Sequence, residues 1–177
     1  MKRMSFILLF SFVHISLFAQ WTQVKNIEVV FKIKNFGRYV YGTFARTEAN
    51  IFFDENNLEK SSFQGNALVN YINTKNEKRD LHLNEKQDFF YSIKYPRITL
   101  NSILIKKNNS NEYLVEWNLT MKGVSKKIES IVNAIYENET LILKTHLDIN
   151  RRKWDVGENS FILSDYVSVD ISLILKK

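Results

Sequence analysis

Thr74-Lys75-Asn76-Glu77-Lys78-Arg79-Asp80-Leu81-His82-Leu83 interrupts a rhythm that holds through most of the chain. On either side of it apolar and polar residues alternate every second position, the pattern of half-buried strands. Inside it the alternation stops. Thr74 and Glu77 have the spacing of a capping box at a helix start, and Asn84 with Gln87 repeats that spacing just before Phe89-Phe90. Pro96, the single proline, biases Tyr95 toward extended backbone and closes the segment. One or two short helical turns are therefore expected here, as a cap over the end of a barrel.

Outward from that cap the strands read in both directions. Toward the N-terminus, Ile27/Val29/Phe31/Ile33, Tyr39–Phe44, Glu48–Asp54 and Phe63/Gly65/Ala67/Val69/Tyr71 form four runs, with Asn35-Phe36-Gly37 as a turn. Gly42 inside the second run predicts a bulge or bend. Toward the C-terminus come Ile98/Leu100/Ser102/Leu104, Tyr113/Val115/Trp117/Leu119/Met121, Ile128/Ser130/Val132/Ala134/Tyr136, Leu141/Leu143/Thr145/Leu147/Ile149 and Val167/Val169/Ile171/Leu173/Leu175. Lys106–Asn111 is expected to be a polar loop, and Gly123 a turn. Eight or nine strands at hairpin spacing, without a helix long enough for a parallel crossover, make an antiparallel barrel or sandwich. Runs approaching ten residues favour a barrel of tilted strands.

A membrane-spanning barrel shows the same alternation, with its apolar phase facing lipid. The Leu175-Lys176-Lys177 terminus lacks the aromatic usual in porin-like chains, and the cap is longer than a short turn. The apolar phase is therefore assigned to the interior of a water-soluble barrel.

Lys2 and Arg3 followed by the apolar run Phe6–Val13 and by Ala19 have the grammar of a secretory signal. The expected division is a signal over 1–19 and a single domain over 20–177, periplasmic or secreted. Of 25 Lys/Arg and 19 Asp/Glu, loss of Lys2 and Arg3 leaves a net charge of +4. That is compatible with transient contact with a membrane surface and does not make a nucleic-acid footprint. An exported chain without cysteine must be held by packing and strand pairing.

The chemistry-bearing residues are sparse. The chain offers no thiol, phosphate loop or nucleophile elbow, so neither a metal nor a cofactor is expected. Past the signal only His82 and His146 remain, and an enzyme of lipid metabolism using His82 is the weakest of three readings. Arg79-Asp80 and Asn150-Arg151 are expected to tie loops to the barrel rim through hydrogen-bonded ion pairs. The leading reading is a binding protein for a long apolar chain. Its expected lining is Phe31, Phe44, Phe53, Ile98, Leu100, Val115, Trp117, Leu143 and Leu147, with Phe89 and Phe90 at the cap. The alternative is a barrel filled by its own side chains that serves as a structural or protein-interaction module, since eight strands suit either state.

The order of motifs resembles the YceI-like family of bacterial lipid-binding proteins. The residues that carry the resemblance are 31–37 (FKIKNFG), 40–44 (VYGTF), 51–54 (IFFD), Arg79-Asp80-Leu81-His82-Leu83 with Asp88-Phe89-Phe90, 95–99 (YPRIT), 118–126 (NLTMKGVSK), and Ile149-Asn150-Arg151 with Trp154-Asp155-Val156-Gly157. The resemblance implies a lipocalin-like antiparallel barrel that holds a polyisoprenoid or similar long lipid, usually in the periplasm. Two departures stand out. The Asp and His-Ser pair common before the first strand are absent from Gln23-Val24-Lys25-Asn26-Ile27, and a usual aromatic is replaced by Leu100.

Overall fold

A computed structural model describes residues 20–176; the signal assigned to 1–19 lies outside the described residues. Ten strands form one antiparallel sheet: β1 Gln23–Asn35, β2 Arg38–Phe44, β3 Thr47–Phe52, β4 Ser62–Leu68, β5 Ile72–Asn73, β6 Arg97–Asn109, β7 Glu112–Met121, β8 Val124–Glu137, β9 Thr140–Asn150 and β10 Leu163–Lys176. One helix, α1 (Glu77–Glu85), stands between β5 and β6. The sheet order is β3-β4-β6-β7-β8-β9-β10-β1-β2-β5. β2 and β3 are consecutive pieces of one bent run, as are β4 and β5. Counted as such the barrel has eight strands.

The bend at Ala45-Arg46 is held by the backbone bonds Ala45 N–H to Tyr71 C=O and Leu68 N–H to Arg46 C=O. It lets β2 pair with β1 and β5, while β3 continues the same strand onto β4. The edge at β3 is drawn onto the start of β1 where Trp21 bridges Phe53. The ladder between β8 and β9 runs only from Glu137/Thr140 to Val132/Thr145. Beyond it the two strands diverge, and Trp154 is buried against residues of both, with its indole N–H donating to the Leu119 carbonyl at 3.0 Å.

Several local expectations need correction. The helix is capped by Asn76, whose side chain accepts from the Arg79 N–H at 3.0 Å, not by a Thr74/Glu77 box. Asn84 and Gln87 start no second helix; hydrogen-bonded turns carry Phe89 and Phe90 instead. The polar stretch at 106–109 belongs to β6, which pairs with β7 as far as Asn109. A register shift between Ser102 and Leu104 flips the strand phase. Ile105, not Leu104, therefore points inward. Gly42 makes no bulge. It pairs with Phe31 in unbroken register, and a Cβ there would sit 2.2 Å from the Phe31 ring. The glycine is needed because an aromatic ring lies across its backbone.

Candidate functional site

The interior is divided along its length. At one end Phe53, Tyr113, Val115, Leu141 and Leu175 are fully buried and pack with Trp21, Ile105 and Ala134. Aromatic rings interlock there: Phe53 meets Tyr113 edge-on at 5.1 Å, and Phe63 lies 6.0 Å from Trp117. At the other end the lumen is a cavity of about 600 Å³. Ile51, Phe63, Trp117, Val132 and Leu143 belong to both regions and form the cavity floor.

The walls are aliphatic and follow the alternation. β1 contributes Ile27, Val29, Phe31 and Ile33; β10 contributes Val167, Val169, Ile171 and Leu173. Opposite them stand Ile98, Leu100, Leu119 and Met121, with Leu147 and Ile149 from β9. Phe31 and Phe44 pack at 5.6 Å on the wall nearest the cap. Leu83, Phe89 and Phe90 close the top.

Polar groups are confined to defined places. Behind the floor, Trp117 Nε1 donates to Ser130 Oγ at 2.8 Å, Ser130 meets Thr145 Oγ1 at 2.8 Å, and Thr145 donates to the Ile131 carbonyl at 2.9 Å. This chain satisfies the side-chain polar groups where β8 leaves β9, so the wall presents carbon to the lumen. At the cap, Thr74 joins Arg79 to Asp80: its hydroxyl accepts from Arg79 Nε at 2.7 Å and donates to the Asp80 carboxylate, which also accepts from the Thr74 N–H at 3.0 Å. The expected Arg79-Asp80 tie therefore runs through Thr74, without a direct ion pair.

Arg151 is 4% exposed and fastens the opposite rim. Its guanidinium donates to the carbonyls of Val156, Glu158, Leu163 and Ser164 and to Asp165 at 3.2 Å. Burial pulls its pKa below the usual arginine value, and the Asp165 carboxylate opposes that shift. Asn150 accepts from the Arg152 N–H and makes the turn. Gly157, at φ +73°, fits between the Arg151 guanidinium and the Phe89 ring, and its N–H donates to the Asp88 carbonyl. That bond ties the cap segment to the rim.

Nine of the expected lining residues border the cavity: Phe31, Phe44, Phe89, Phe90, Ile98, Leu100, Trp117, Leu143 and Leu147. Phe53 and Val115 do not. They share the inward phase but lie beneath the floor, where the barrel is packed solid. Periodicity assigns a face and says nothing of depth. Apart from Phe31, the walls from β1 and β10 were missing from the expected lining, although their alternation, Ile27 to Ile33 and Val167 to Leu173, carried the signal. His82 packs edge-on against Phe89 at 5.0 Å. Among the described residues no three His, Asp or Glu side chains are grouped to hold a metal ion.

An antiparallel β-barrel, half packed and half hollow, with an apolar cavity under a one-helix cap, is the class of protein this geometry defines. The sequence matches the model of the YceI-like domain over residues 21–175, and the chain belongs to that family. Among curated relatives, a UPF0312 protein of Yersinia enterocolitica is 34% identical over 101 residues, 56% of this chain and 52% of that protein. One of Pectobacterium atrosepticum is 30% identical over 102 residues, 57% and 52% respectively. The alignments thus span about half the length of these relatives.

Solved structures share the fold. The Burkholderia cenocepacia protein BcnA superposes with a TM-score of 0.79 at 24% identity, covering 84% of this chain and 95% of that one. A polyisoprenoid-binding domain from Saccharophagus degradans gives 0.66 at 15% identity, over 90% and 98%.

Proposed function

We propose that this chain is an exported, non-enzymatic protein that holds a long apolar lipid, a polyisoprenoid or isoprenoid quinone, in the hollow half of its barrel. The observation that carries the reading is the continuous lumen of about 600 Å³, walled by β1, β10 and β6 and roofed by Phe89 and Phe90. Its size falls within the ordinary range of small-molecule sites, and its lining is their usual apolar one. The Saccharophagus domain, described as polyisoprenoid-binding, supports the choice of ligand class.

Magnitudes decide what kind of lipid suits. Each buried CH₂ contributes roughly 0.8 kcal/mol. Ten such groups give roughly 8 kcal/mol, against an association cost of about 4–15 kcal/mol. A short chain is not retained; a long one that fills the lumen is. Recognition is by shape and burial. The basic n-region and apolar run at 1–19 support export.

The test is organic extraction of the purified protein followed by mass spectrometry. The expected result is one long-chain lipid per polypeptide. A folded protein that yields none, and takes up none when refolded with a long-chain prenol, overturns the reading in favour of a structural module. Export is checked separately, by finding the mature chain in the periplasm or medium with a new N-terminus near Gln20.

A further inference from the structure

We propose that the cavity end of the barrel is a membrane-docking face, and that its partner is the surface of an anionic bilayer. The proposal rests on the lipid-carrying reading above and identifies where such a cargo would pass between protein and bilayer.

Large apolar side chains protrude unevenly from this barrel. At the packed end the exposed ones, Ile103, Leu104, Ile135 and Tyr136, are 37–48% accessible and sit on strands. At the cavity end Phe36 is 72% accessible, Ile93 85% and Phe161 fully so, and all three sit in turns or loops. Phe36 and Phe161 flank the cavity mouth. The Phe36 N–H donates to the Ile162 carbonyl at 2.9 Å, and their neighbours Asn35 and Leu163 line the cavity.

Phe36 also holds a costly backbone conformation. The Asn35-Phe36-Gly37-Arg38 turn has φ +49° at Phe36 and +76° at Gly37. This is the two-residue hairpin geometry that favours Asn-Gly, and an aromatic residue is a poor choice for its first position. The ring is not compensated by burial in the fold. A strained residue that projects into solvent beside a cavity mouth points to work done outside the folded chain.

Behind these tips lies a second tier. Tyr39 and Tyr166 are exposed on the strands next to them. Lys34 and Arg38 lie on the hairpin that carries Phe36, and Arg152 and Lys153 on the turn after β9, against Asp155 and Glu158; Asp165 is shared by Arg151 at 3.2 Å and Arg152 at 4.0 Å. Apolar tips ahead of a tier of tyrosine and basic residues is the arrangement of an interfacial anchor: rings enter the acyl boundary while phenols and cations meet the headgroups. Each added cation near an anionic surface is worth about 1 kcal/mol, roughly fivefold in partitioning.

The test uses the mature protein with vesicles of phosphatidylethanolamine and phosphatidylglycerol, phosphatidylcholine vesicles as the uncharged control, and flotation as the readout. Phe36→Asn combined with Phe161→Ser is the decisive variant, because asparagine suits the turn and keeps the fold. The expected result is binding to anionic vesicles that weakens in salt and falls at least about tenfold in the double variant. Extractable cargo should be unchanged in that variant. Equal binding by the double variant, or no binding by the wild type, overturns the proposal while leaving the cargo result standing. Self-association lost in the double variant, without vesicle binding, overturns it by assigning the patch to a second copy of this chain.

Discussion

Where the start of β1 meets the end of β10, Phe53, Tyr113, Val115, Leu141 and Leu175 are fully buried and packed against one another. Half a barrel away, the same inward phase faces about 600 Å³ of open lumen. The difference lies in side-chain volume and in what closes each end. The packed end is stoppered by interlocked aromatic rings. The hollow end is spanned by a capped helix and fastened by polar ties, with Trp154 filling the gap between β8 and β9. One end supplies the stability that lets the other remain empty, since an unfilled lumen forfeits dispersion contacts on every wall.

The sharpest way to break that comparison is a matched pair of truncations. Phe53→Ala should cost about 3–5 kcal/mol, because it opens a cavity inside close packing. Phe31→Ala enlarges a space that already exists, so its cost in the lipid-free protein should be well below that figure. Denaturant unfolding of the two variants measures both. Equal costs would mean the two ends are packed alike.

The polar ties of the hollow end come next. Arg151→Met removes the donor shared by four carbonyls and the partly exposed Asp165, and leaves the buried Val156 carbonyl without that partner. A loss of about 3 kcal/mol is expected, because several inward-facing carbonyls lose a charged donor at once. Proteolysis should then cut first in the 151–166 rim, while the packed end stays protected.

A smaller effect is expected from Gly42→Ala. Its Cβ would overlap the Phe31 ring, pushing the ring into the lumen at about 1–3 kcal/mol of strain. Lipid retention should fall with it. Gly42→Ala with Phe31→Leu should recover stability, which separates the ring clash from any backbone effect.

The smallest prediction concerns the outer wall shared by both ends. His146 Nδ1 lies 2.6 Å from Asp170, with Asp148 at 3.4 Å from Nε2. The hydrogen bond to Asp170 raises its pKa above the usual 6.5, with burial opposing it and the Asp170 and Asp148 charges adding to it. A raised folded-state pKa stabilises the protein fully below the unfolded value and is lost as pH rises through the folded value. Stability should therefore decline slightly above pH 6.5, and His146→Gln should flatten that decline. Half-exposed and screened, the pair contributes little.

Much of this contrast was legible in the chain. Alternation gave the strands and the inward phase, and the break at residues 74–83 gave the cap. Nine of eleven expected lining residues border the cavity because phase is a local property of pleated backbone. Depth along the barrel is not local. Whether Val115 faces a void or Tyr113's neighbours depends on strand tilt and on which side chains arrive from the other strands. The flip at Ser102/Leu104 was also hidden, since a bulge leaves no mark in composition. Gly42 was misread for a related reason: its partner Phe31 is distant in sequence, and only pairing register brings the ring over it.

The most direct test of the hollow end is the melting temperature of delipidated protein titrated with a long-chain prenol. A ligand at 100 times its dissociation constant stabilises the native state by about 2.7 kcal/mol. For a domain of this size that is a rise of about 5–10 °C. A saturating, concentration-dependent rise is the predicted result. A melting temperature unmoved by the prenol would contradict the account.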